Sequence, residues 1–109
     1  MLFRSKIDWT RPAREVHDRV RGFDPAPGAF TYLSDGRLLK IWETRIAGNS
    51  TGAPAGTVVS VSKKDFSVAC GEGVLRVLTV QPESKKRMPA AVFLSGHGVN
   101  AGDVLGSKE

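Results

Sequence analysis

Apolar residues recur along this chain with a helical period near the start and a period of two through most of the rest. Ala13, Val16, Val20 and Phe23 are spaced three and four apart, as one helical face requires, while Arg14, Glu15, Asp18, Arg19 and Arg21 take the other face. Thr10 stands at an N-cap position. Pro12 falls in the first turn, where its missing N–H costs nothing, and Gly22 supplies a C′ residue. The spacing predicts a helix over 11–21. Glu15 and Arg19 are four apart in the favourable order, worth a few tenths of a kcal/mol. Ahead of the helix, Ile7 and Trp9 alternate with Asp8, as in a short extended segment, and residues 1–9 form a lead-in. After it, Pro25 and Pro27 fix φ and give a stiff extended connector over 23–28.

Five strands follow. Residues 29–33 and 37–46 flank Asp35-Gly36, a two-residue hairpin signal of type I′ because such turns need positive φ. In the second strand Leu39 and Ile41 point one way with Glu43 in line, and Leu38, Lys40, Trp42 and Thr44 the other. Residues 47–55 are a small-residue loop. Residues 56–62, 65–70 and 74–80 are three short strands joined by Lys63-Lys64 and by Gly71-Glu72-Gly73, which makes a meander. Apolar residues on both faces of several strands predict a small closed barrel over 29–80, since closure also removes exposed edges.

A second helix is expected over 89–95, with Pro89 at N1, Gly96 at C′ and Val92, Phe93 and Leu94 as its apolar contacts. Residues 97–109 form an irregular tail. Between the last strand and this helix stands Lys85-Lys86-Arg87. A helix N-terminus already carries about half a positive charge, so cations there oppose its dipole, and a bound polyanion supplies a reason for them. The alternative is a solvated charged turn.

Composition narrows the function. A chain of 109 residues is one domain, long enough to bury roughly 65% of its unfolded surface. Sixteen Lys+Arg against 11 Asp+Glu leave a formal charge of +5, a bias toward nucleic acid first and an anionic membrane second. No amphipathic basic helix supports the membrane option. The single cysteine, Cys70, excludes an internal disulfide and fits a reducing compartment; in an alternating strand it is a small core residue. His17 and His97 have no second ligand at metal spacing, so no metal site is expected. The glycines at 71 and 73 precede a strand and no Lys-Ser/Thr follows, which makes them a hairpin turn and not a phosphate loop. No carboxylate pair suggests acid/base work. Trp9 and Trp42 are core residues or, if exposed, stacking platforms for bases.

Several blocks in order carry a resemblance. They are Lys6-Ile7-Asp8-Trp9, then 21–30 with Arg21-Gly22-Phe23-Asp24-Pro25, then Leu39-Lys40-Ile41-Trp42, Pro54-Ala55-Gly56-Thr57-Val58 and 81–88 with Gln81-Pro82-Glu83-Ser84-Lys85. Phe93-Leu94-Ser95-Gly96 and Gly102-Asp103-Val104-Leu105-Gly106 complete the series. Together these resemble the C-terminal domain of bacterial methionyl-tRNA formyltransferase over about the whole chain. The resemblance implies a mainly β fold with two short helices, a small OB-like Greek-key β-barrel, as a single domain over 1–109.

It also implies a cytoplasmic, monomeric parent enzyme. In that enzyme a Rossmann-type domain formylates initiator methionyl-tRNA from formyltetrahydrofolate, and the barrel helps to hold the tRNA. The family's catalytic residues belong to the Rossmann domain, so no catalytic residue, cofactor or metal is expected on this chain, which alone should be inactive. Lys85, Lys86 and Arg87 match the family's basic block and become the expected tRNA phosphate contacts. Where the family tends to have basic residues after the last helix, this chain has Gly96-His97-Gly98. Two other readings remain: a structural C-terminal domain of another formyltransferase, sugar-nucleotide or formyltetrahydrofolate-processing, that touches no RNA, and a free-standing OB-type binder of single-stranded nucleic acid that uses exposed tryptophans.

Overall fold

The computed structural model describes residues 6–24, 28–49, 52–96 and 98–106. The fold is mainly β. Helix α1 (Ala13–Gly22) precedes β1 (Ala29–Tyr32), β2 (Leu38–Gly48), β3 (Val58–Val61), β4 (Phe66–Ala69), β5 (Val74–Pro82), the two-residue β6 (Met88–Pro89) and α2 (Ala90–Gly96). All named strands pair antiparallel in the order β1-β2-β5-β4-β3, and β6 adds to β5. The β1–β2 hairpin and the β3–β4–β5 meander are thus joined by β5 lying against β2. The expected connector at Pro25 and Pro27, the loop residues Ser50 and Thr51, and His97 lie outside the described residues.

The strand ladder is not closed on itself. Its two ends, β1 and β3, are linked through the segment after α2. Gly102 N–H donates to the Val58 carbonyl and Val58 N–H to Asp103. Leu105 N–H donates to Gly56, and Gly106 N–H to Tyr32 on β1, all at 2.7–2.8 Å. The OB-like barrel therefore has its gap covered by an extended segment that the sequence pattern presents only as an irregular tail. Leu105 and Val99 turn their side chains into the core.

Two bulges decide which residues face that core. Ile41 pairs with Val80 and Glu43 with Thr79, so Trp42 is an extra residue on β2; Thr44 then pairs with Val77, which makes Leu78 extra on β5. Each insertion flips the alternation beyond it. Thr44 is buried and Glu43 exposed, the reverse of simple alternation, and Val80 faces inward in place of Thr79. Leu39, Ile41, Phe66, Leu75, Val77 and Val80 fill the centre with no exposed surface.

The helices differ from expectation at their ends. Pro12, not Thr10, precedes the first helical residue, and no side chain caps it. Instead Ala13 N–H donates to the Glu72 carbonyl in the β4–β5 turn at 2.8 Å, and Thr10 bonds Asp8 through both its N–H and its hydroxyl. That turn comes so close that a Cβ on Gly71 would lie 1.8 Å from the Thr10 carbonyl oxygen. Gly22 is the last helical residue and not a C′ residue. Glu15 pairs with Arg11 (3.2 Å), not Arg19. The β1–β2 turn closes by Gly36 N–H to Leu33, with Gly36 at φ 91° and Asp35 not at positive φ, so it is not type I′. Helix α2 begins at Ala90, because Met88-Pro89 continues the sheet; Ala90 and Phe93 pack inward and Val92 is exposed. No described helix is long and apolar enough to cross a membrane.

Candidate nucleic-acid interface

The basic run stands on a loop between two antiparallel strands, β5 and β6, not at the start of a helix. Its placement therefore does not rest on opposition to a helix dipole. The loop opens with a tight turn in which Lys85 N–H donates to the Pro82 carbonyl at 3.0 Å. Ser84 occupies the turn's third position at φ 67°, the one positive-φ non-glycine residue among those described. Left-handed φ costs an L-residue of this kind about 1–2 kcal/mol, which surrounding bonds must offset. They are visible. Glu83 N–H donates to Leu38 on β2 (3.2 Å), and Gln81 Nε2 donates to the Lys85 carbonyl (2.8 Å).

Gln81 also ties the loop to the sheet. Its Oε1 accepts from Trp42 Nε1 at 2.8 Å. The indole lies in the β2 bulge, where the extra residue is re-aimed out of the core cluster, and is still only 7% exposed. Two cations lie over it. The Arg87 guanidinium carbon stands 3.5 Å from the ring centroid and the Lys40 ammonium 5.9 Å. Arg87 also pairs with Asp24 at 3.1 Å, both side chains being more than a third exposed. Gly28, at φ 89°, passes under the ring edge, where a Cβ would lie 2.7 Å from the indole.

The three expected contact residues thus fall into two kinds. Lys85 and Lys86 are exposed and form no ion pair among the described residues. Arg87 is engaged by Trp42 and Asp24. Beside the loop is a shallow cavity of about 310 Å³ lined by Leu33, Arg37, Leu38, Pro82, Glu83, Ser84 and Lys85. Lys40 joins the cluster although spacing alone gave no reason to select it; only the β2–β5 register, which sets Lys40 opposite Gln81, brings it there. Farther along the same ladder Arg45 and Arg76 are direct cross-strand partners, with Asp65 3.9 Å from Arg76.

The remaining candidates are structural. Trp9 is 4% exposed and donates from Nε1 to Thr31 Oγ1 at 3.0 Å. With Trp42 covered as well, neither tryptophan offers an open face for a base. His17 Nδ1 lies 2.7 Å from Thr44 Oγ1. Cys70 is buried, and burial pushes its thiol up to about 11, the opposite of an activated nucleophile.

Comparison with known proteins gives this geometry a family. The model described as formyl transferase, C-terminal domain, matches residues 4–98. The chain belongs to that family. Among curated proteins it is similar to the methionyl-tRNA formyltransferase of Syntrophomonas wolfei, 40% identical over 103 residues, which cover 94% of this chain and 32% of that protein. The enzyme of the same name from Symbiobacterium thermophilum is 46% identical over 98 residues, 88% of this chain and 30% of that one. The formyl transferase C-terminal domain described here thus spans about a third of the length of the curated relatives it matches. A solved structure of similar fold is HypX from Aquifex aeolicus in complex with tetrahydrofolic acid, with a TM-score of 0.67 and 16% identity over 92% of this chain and 19% of that one.

Proposed function

We propose that this domain is the tRNA-holding part of a methionyl-tRNA formyltransferase, and that Lys85 and Lys86 are its principal phosphate contacts. The observation that carries the reading is the loop itself: two exposed ammonium groups without an ion pair among the described residues, on a turn held by Gln81 against Trp42. A backbone turn already held in place leaves less conformational freedom to lose when its lysines meet a phosphate than a free chain would. Such contacts set position and read no base. A domain of this kind suits an enzyme that must grip a tRNA body while chemistry occurs at its end.

In this reading the formyl group passes from formyltetrahydrofolate to initiator methionyl-tRNA on a Rossmann-type domain of the same cytoplasmic enzyme. The 109-residue chain binds and does not catalyse. The relatives' shared name and the family match support the enzyme class, and the loop geometry supports the RNA contact.

Equilibrium binding of the chain to tRNA at low salt tests the reading. Lys85→Ala/Lys86→Ala should weaken binding roughly ten- to thirtyfold, about 1 kcal/mol or slightly less for each ammonium group removed. The weakening should be the same for initiator and elongator tRNAs. Equal affinity of variant and parent would remove these two lysines from the interface, and a parent chain that binds no tRNA would assign the domain instead to structural packing on its catalytic partner.

A further inference from the structure

We infer that Trp42, Lys40 and Arg87 form a further phosphate subsite, and that the Asp24 carboxylate occupies it in the free chain. The inference rests on the RNA-binding reading above and adds a site to it. Two cations from different elements, Lys40 on β2 and Arg87 on the β5–β6 loop, lie over one indole at 5.9 and 3.5 Å from its centroid. Gathering like charges opposes itself electrostatically unless an anion accompanies them. The anion present is the carboxylate of Asp24, 3.1 Å from Arg87 Nη2, brought from 63 residues away by the segment after α1. A carboxylate and a phosphodiester both present oxygen acceptors to the planar guanidinium fork, so one stands in for the other.

Among the described residues Arg87 alone pairs with the stand-in. Asp24 and Arg87 are both well exposed, so the pair is weak and open to exchange. The ring behind it is fixed. Gln81 holds its Nε1, and Gly28 leaves no space beneath its edge. A guanidinium held over a fixed indole still has Nη2 free to donate when the carboxylate leaves, ready for a phosphate oxygen. Exchange of Asp24 for a phosphodiester thus needs no rearrangement of the sheet. With Lys85 and Lys86 on the same loop, the subsite extends a phosphate track from the loop tip toward β2.

The test is a double-mutant cycle on tRNA binding. Asp24→Asn should raise affinity about two- to fivefold at low salt, the range by which an exposed ion pair competes. In an Arg87→Ala background the same substitution should give no gain beyond that of Asp18→Asn. This control removes the same charge from the α1 surface pair with Arg21. Lys40→Ala should lower the log–log salt slope by about 0.7–0.9. A gain from Asp24→Asn that matches Asp18→Asn, or that survives removal of Arg87, overturns the subsite. A salt slope unmoved by Lys40→Ala overturns it too. If Lys85→Ala/Lys86→Ala weakens binding while these arms fail, the subsite alone is wrong; if the parent chain binds no tRNA, the RNA reading fails with it.

Discussion

Trp42 joins the fold to the proposed interface. Its indole is out of the core cluster yet almost wholly covered, with its N–H taken by Gln81 and its face by Arg87. Gly28 under the ring edge is the position most sensitive to a single added atom. Gly28→Ala adds a methyl at φ 89° and 2.7 Å from the ring, and should cost about 1–3 kcal/mol in urea unfolding. Gly22→Ala is its counterpart: the last helical position, with nothing within 4 Å, should stabilise by about 0.5–1 kcal/mol. Cys70 gives a pH-dependent prediction. Its folded thiol ionises near 11 and its unfolded thiol near 9, so between these values the folded state holds the extra proton. The part of the stability that comes from keeping this thiol neutral is complete below about pH 9 and declines as pH rises toward 11. A thiol reagent at mildly alkaline pH should label the chain only on unfolding. At this scale the run Lys85–Arg87 was plain in the sequence. The division of labour within it was not, because Asp24 is 63 residues from Arg87 and Gln81 39 from Trp42.

Elements carry a second lesson, about ends. Helix α1 was legible from the spacing of Ala13, Val16 and Val20, all buried. Its start was not, since the group that satisfies Ala13 N–H is a carbonyl in a hairpin turn far along the chain. Strands β1 to β5 were legible and β6 was not, because Met88-Pro89 reads as a helix start; the facing of β2 was not legible beyond Ile41, where the Trp42 bulge reverses the pattern. Simple alternation has no signal for an inserted residue. The segment 98–106 looked irregular because its role is to bond two strand ends, not to repeat a period. It follows that this segment contributes directly to stability. Leu105→Ala should cost about 2–4 kcal/mol, and removal of residues 102–109 should cost more, since it also unpairs the backbone of Gly56, Val58 and Tyr32. Chemical denaturation of the two variants measures the order; a truncated chain as stable as Leu105→Ala would show that the backbone links add nothing.

For the whole molecule, the excess of five positive charges is less informative than where cations are left unpaired. Two exposed lysine pairs provide an internal comparison. Lys63-Lys64 sits in the β3–β4 turn, and Lys85-Lys86 on the loop over Trp42. Each pair carries the same charge, so long-range attraction to a polyanion treats them alike, whereas direct phosphate contact does not. The salt dependence of tRNA binding separates the two. Measured side by side, Lys85→Ala/Lys86→Ala should lower the magnitude of the slope of log affinity against log salt by about 1.4–1.8, and Lys63→Ala/Lys64→Ala should leave it near the parent value. Equal slopes for the two double variants would contradict a phosphate site on the β5–β6 loop.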